Sequence, residues 1–138
     1  MGKGVEAENM AVYAMKVRRK ILGDKHSHTL NGMAIVGLAY NLNGRWGAAE
    51  ELEVQVIETR KKKLGADHLD TLTSMANLAS TFLNQGRWDA AEELEVQVME
   101  TSKKKLGADH PDTLTSIANL ASTYRNQGRW DAAEELEV

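Results

Sequence analysis

Apolar residues recur along this chain at three- and four-residue intervals, and the pattern they make is itself repeated. Between 65 and 84, Leu72, Met75, Ala76, Leu78, Ala79, Phe82 and Leu83 form one broad stripe at helical spacing. Thr73, Asn77, Ser80, Thr81 and Asn84 are expected to face away from it. Asp67, or His68 itself, is placed to accept from the free amides of the first turn, and Gly86 stands where a residue free to take positive φ should end the helix. A second helix is predicted from Trp88 or Asp89 onward. Its apolar positions, Trp88, Ala91, Leu94, Val96, Val98, Met99 and Leu106, cover well over a third of its circumference. An arc that wide implies more than one neighbour.

This two-helix unit is written three times. Residues 107–138 match 65–96 at 28 of 32 positions, the changes being Leu69 to Pro111, Met75 to Ile117, Phe82 to Tyr124 and Leu83 to Arg125. The copy at 23–64 is looser but in register, with Arg45-Trp46, Arg87-Trp88 and Arg129-Trp130 falling 42 residues apart. A fixed period of this size marks a stacked-repeat architecture. Residues 5–22 align with a second helix, Met10 on Leu52 and Met15 on Ile57, so the expected organisation is one repeat domain over 1–138. It comprises a lone second helix (5–22), two full repeats (23–64 and 65–106) and a repeat cut in its second helix (107–138), as in a piece of a longer array whose last helix frays. The fold class is all-α: an α-α superhelix, or solenoid, of stacked antiparallel helix hairpins.

Glu95 does not suit this pattern. It lies in the middle of the apolar arc of the second helix, and Glu53 and Glu137 repeat it, while Ala11 takes the same slot in the opening helix. A carboxylate so placed finds donors, carries a raised pKa or reaches to water. The expectation is partial burial with bonding to a neighbouring helix through Asn77 or Asn119, and Arg60 is a candidate partner of Glu53 alone.

Composition narrows the chemistry. Seventeen basic against twenty acidic residues give a formal charge of −3, which does not suit a surface for gripping phosphate backbones, so no nucleic-acid partner is expected. Lys61-Lys62-Lys63 and Lys103-Lys104-Lys105 close their helices, where cations complement the macrodipole; docking to membrane or nucleic acid through them is the minor alternative. No apolar run approaches the ~20 residues of a membrane span, and no membrane partner is expected. Without cysteine there is no disulfide, zinc–thiolate site or thiol catalysis. A chain without such staples or a signal peptide suits the cytoplasm. His68 and His110 stand about a repeat apart, too far for one ion, and a turn role at or beside the helix cap is expected for them. His26 and His28 with Asp24 could ligate a metal but fall short of the three or four convergent ligands required, so neither metal nor cofactor is expected. No nucleophile–base–acid set, phosphate loop or inward carboxylate pair stands out, and no catalytic residue is expected.

With the hairpins laid out, the chain resembles the tetratricopeptide repeat, in the long variant found in kinesin light chains and in the C-terminal arrays of fungal NTPases of the immune-receptor type. The resemblance rests on Ile117, Leu120, Ala121 and Tyr124 in the first helix and on Trp130 and Ala133 in the second. Val98 of the preceding copy and the segment L-G-x-D-H-P-D-T-L from Leu106 to Leu114 add to it. It implies that the eight residues beyond the usual period of 34 lengthen the second helix. It also implies a concave groove lined by the first helices. Carried over by motif position, that groove shows Asn31, Ala34, Leu38 and Asn41, then Thr73, Ala76, Asn77, Ser80, Leu83 and Asn84. In the last copy it shows Thr115, Ala118, Asn119, Ser122, Arg125 and Asn126. An asparagine ladder suits a peptide backbone, since each side chain donates and accepts; a solvated polar face suits the same residues equally. The family's lysine clamp for C-terminal carboxylates does not map, because its positions here are Thr73, Ala76, Thr115 and Ala118.

The implied function is a non-catalytic scaffold binding a protein or peptide. The alternative is a structural spacer or self-association element with an idle groove, and apolar faces on the terminal helices would then favour a homodimer.

Overall fold

The computed structural model describes residues 3–137. Among them run seven helices and no strand: α1 (Lys3–Leu22), α2 (Ser27–Leu42), α3 (Trp46–Leu64), α4 (Leu69–Asn84), α5 (Trp88–Leu106), α6 (Pro111–Asn126) and α7 (Trp130–Glu137). The even-numbered helices have 16 residues each, whereas α3 and α5 have 19, so the second helix of each full repeat is the longer one.

Local chemistry sets the ends. His26, His68 and His110 hold extended backbone at the N-caps of α2, α4 and α6, and each Nδ1 accepts from the amide two residues on, at 3.1, 3.0 and 3.1 Å. The cap is thus the histidine and not Asp67. Pro111 takes the first helical position of α6, where no amide bond is lost. Gly86 turns the chain out of α4 at φ 75°, a conformation that costs a side-chain-bearing residue.

Each helix packs against its neighbours in the chain, and α2 also reaches α4, so the hairpins stack in sequence order. One core lies among α1, α2 and α3, around Met15, Leu30, Met33, Val36 and Val56. The other joins α3, α4 and α5 through Ile57, Leu72, Met75, Leu78, Ala79, Phe82, Ala91 and Val98. Burial of the Leu, Ile, Val, Met and Phe side chains among them stabilises by about 1.5–3 kcal/mol each. The stripe read from the sequence is therefore the packed face, with two corrections. Thr81, expected to face away, is fully buried, and Trp88, expected in the apolar arc, is 41% exposed at the start of α5.

The arginine of each Arg-Trp pair straps one repeat to the one before. The guanidinium of Arg87 lies 4.2 Å from the Phe82 ring centroid and donates to Glu50 Oε1 at 2.8 Å. Arg129 covers Tyr124 and reaches Glu92, and Arg45 covers Tyr40 and reaches Glu8.

Candidate interaction surface

The first helices carry two rows of polar side chains, one turned into the seam between repeats and one outward. The inner row faces the glutamates of the second helices, Glu53 on α3 and Glu95 on α5. Glu53 is 3% exposed, and its Oε1 accepts from the Thr81 hydroxyl at 2.6 Å. Glu95 is 5% exposed and accepts from the Thr123 hydroxyl. These carboxyls are buried and bonded to the next repeat's first helix, as expected, but by threonines and not by Asn77 or Asn119. Burial drives each pKa from 4.5 up to about 7, opposed by the threonine bond and aided by Glu50 or Glu92 nearby. Glu137 differs: it is exposed and pairs with Arg125.

Arg60 does not pair with Glu53. Its side chain crosses the seam between α2, α3 and α4, buried at 7% exposure. There Nη1 donates to Ser74 Oγ at 2.7 Å and to the Asp70 carbonyl at 3.3 Å, and Nη2 donates to Asn31 Oδ1 at 2.7 Å. Burial lowers its pKa, with Asp70 opposing. At α1, Arg18 reaches the equivalent carbonyl, that of His28, at 3.3 Å. At the α4–α5–α6 seam the equivalent residue is Ser102, and a cleft of about 190 Å³ opens. Its walls include Thr73, Ala76, Val98, Ser102, Asp112, Thr115, Ser116 and Asn119.

The residues read from the sequence as groove-lining divide accordingly. Thr73, Thr115 and Asn119 are exposed and border this cleft. Asn77 is half-buried, and Ser122 and Asn126 are exposed along α6. Arg125 is half-buried and neutralised by Glu137. Asn41 is buried at 7% exposure instead of displayed. Its Oδ1 accepts from Asn84 Nδ2 at 2.7 Å, and its Nδ2 points to Ser80 Oγ at 3.5 Å. The Asn41–Ser80–Asn84 group thus ties α2 to α4.

The sequence reading missed Ser102 and Ser116 as walls of an opening. The signal was available in the exchange of Arg60 for a serine one repeat later. Among the described residues no group of three or more His, Asp or Glu side chains could hold a metal ion, and no helix is long and apolar enough to cross a membrane.

The family model of the tetratricopeptide repeat matches residues 29–70, 71–112 and 113–137. Two crystal structures of a putative kinesin light chain from Podosopora anserina with nearly identical TPR-like repeats, one bearing a point substitution, superpose with a TM-score of 0.89 at 31% identity. The alignment covers 98% of this chain and 64% of that one, so the chain spans under two thirds of those relatives. BtubC (BKLC) from P. vanneervenii shares the fold at a TM-score of 0.87 and 16% identity, over 98% of this chain and 54% of its own. No curated protein matches the sequence.

Proposed function

Since the chain belongs to the tetratricopeptide repeat family, whose repeats typically mediate protein–protein interaction without catalysis, we propose that it is a non-catalytic scaffold binding a protein or peptide segment along its first helices. The observation that carries this reading is the two-sidedness of α6. Thr113, Ser116, Leu120, Ala121 and Thr123 are buried, while Ala118, Asn119, Ser122 and Asn126 present small and amide side chains outward beside an open cleft. An extended backbone offers donors and acceptors that asparagine and serine can meet together. The binding surface is Thr73, Asn77, Ser80, Asn84, Thr115, Asn119, Ser122, Arg125 and Asn126, with Asn41 buried between α2 and α4 and bonded to Ser80 and Asn84. The formal charge of −3 argues against nucleic acid and anionic membrane as partners, and the cytoplasm suits a chain without cysteine. Neither a cofactor nor a catalytic residue enters this reading. Pull-downs with the wild type and with an Asn77→Ala/Asn119→Ala/Arg125→Ala triple variant test it. Loss of partners from the variant is expected, and equal recovery of every partner by both proteins removes the surface from the account.

One observation favours a second reading, self-association. On α1, Met10, Tyr13 and Ile21 are 74%, 72% and 73% exposed, a patch of the kind that associating surfaces carry. Light scattering across concentration tests this. A rise in mass that Tyr13→Lys abolishes supports a homodimer through α1, and a constant monomer mass at high concentration excludes it.

A further inference from the structure

The cleft at Ser102 has the lining of a filled site with its occupant missing. One seam earlier, three groups hold the Arg60 guanidinium: Asn31 Oδ1, Ser74 Oγ and the Asp70 carbonyl. Forty-two residues on, these positions are Thr73, Ser116 and Asp112, Arg60 has become Ser102, and all four line the cleft. The polar atoms there can still accept. The Thr73 hydroxyl donates to the Leu69 carbonyl at 3.0 Å and the Ser116 hydroxyl to the Thr113 carbonyl at 2.8 Å, so each keeps lone pairs for an incoming donor. Ser116 has also turned relative to its counterpart, since Ser74 donates to the Asp70 carbonyl at 2.9 Å. The Asp112 carbonyl is thereby spared a competing hydroxyl.

Charge agrees with shape. No basic side chain lines the cleft, and Asp112 brings a carboxylate to its mouth. Glu95 lies beneath, lining a smaller recess that shares Ala76, Val98, Ser116 and Asn119 with it. The Arg60 example also separates arginine from lysine. Its two terminal nitrogens bond groups on different helices at once, which a planar fork does and a point-charge ammonium does not.

We propose that this cleft receives an arginine side chain from the bound protein or peptide, which takes in trans the place that Arg60 takes in cis. The proposal rests on the scaffold reading above and names the chemistry of its ligand. In the bound state the guanidinium donates to Ser116 Oγ, the Asp112 carbonyl and Thr73 Oγ1, with the aliphatic stem against Ala76 and Val98.

The test is an NMR titration of the isotope-labelled chain, at fixed ionic strength, with N-acetyl-arginine amide, N-acetyl-lysine amide and N-acetyl-citrulline amide. Saturable shifts at the Thr73, Ser102, Asp112 and Ser116 amides are expected with the arginine probe. Binding of the lysine probe should be weaker by roughly tenfold, and the uncharged citrulline probe should not bind. Ser102→Arg, which fills the cleft from within, should abolish the shifts, and the milder Asp112→Asn should weaken them. Scattered shifts, equal response to lysine, or binding unchanged in both variants overturns the proposal. A second arm selects random peptides on the wild type. Peptides that lack arginine, bind Ser102→Arg normally and are lost with the triple alanine variant sink the arginine site and leave the scaffold reading intact. Arginine-probe binding at the cleft, together with selected peptides that the triple variant keeps, does the reverse.

Discussion

The Thr81 hydroxyl donates to Glu53 Oε1 at 2.6 Å, across the seam between one hairpin and the next. The other oxygen, Oε2, is buried with no hydrogen-bond partner among the described residues. One neutral donor is a thin compensation for a desolvated carboxylate, which is why the carboxyl holds its proton up to about 7. The same pair recurs as Thr123 and Glu95.

Replacing Thr81 by valine removes the donor and keeps the shape. We expect a loss of about 1 kcal/mol near pH 5, where the carboxyl is protonated, growing to about 2–3 kcal/mol at pH 8, where a buried charge is left bare. Urea denaturation at the two pH values checks this, and a penalty independent of pH would contradict it.

The raised carboxyls give stability a definite pH dependence. In the unfolded chain they titrate near 4.5 and in the fold near 7, so between these values the native state binds more protons. Their contribution is complete below pH 4.5 and is lost as pH rises through 7. A shift of this size corresponds to on the order of 3 kcal/mol for each carboxyl. Glu95→Gln should flatten the slope in that window and raise the melting temperature at pH 8, as calorimetry across pH would read.

The Arg87 strap couples repeats through an aromatic face and a half-exposed carboxylate. Arg87→Ala should cost about 1–2 kcal/mol, from a cation–π contact and a partly solvated ion pair. Arg87→Lys should recover less than half of that, because the ammonium lacks the flat face that lies on Phe82. Chemical denaturation of the two variants measures both.

Gly37 sits inside α2, where the later copies have Ala79 and Ala121. An added Cβ would meet Glu53 Cγ at 3.1 Å, so that side chain must give by a few tenths of an ångström. The second repeat carries alanine at this position with the same glutamate after it, so the movement is small. Gly37→Ala should therefore stabilise by about 0.5–1 kcal/mol from helix propensity, and a drop in melting temperature would show that Glu53 cannot yield.

The partner of the buried glutamate was recorded in the sequence. Glu53 is followed 28 residues later by Thr81 and Glu95 by Thr123, whereas Ala11 is followed at that spacing by Ala39. The two positions change together because a buried carboxyl without a donor, or a buried hydroxyl without an acceptor, is costly. Thr81 reads as outward because its type is polar, and helical periodicity does not distinguish which polar residue lies at the edge of the packed stripe.

Alone, the sequence determined the helices, the hairpin unit and its stacking, because each follows from local backbone preference and an apolar face that must be covered. Only the tertiary structure decided that Asn41 is consumed between α2 and α4, that Arg60 spans three helices, and that Ser102 leaves a cleft where an arginine lay before. Those outcomes depend on side chains from three helices meeting at one point, and the spacing along one helix carries no information about that meeting.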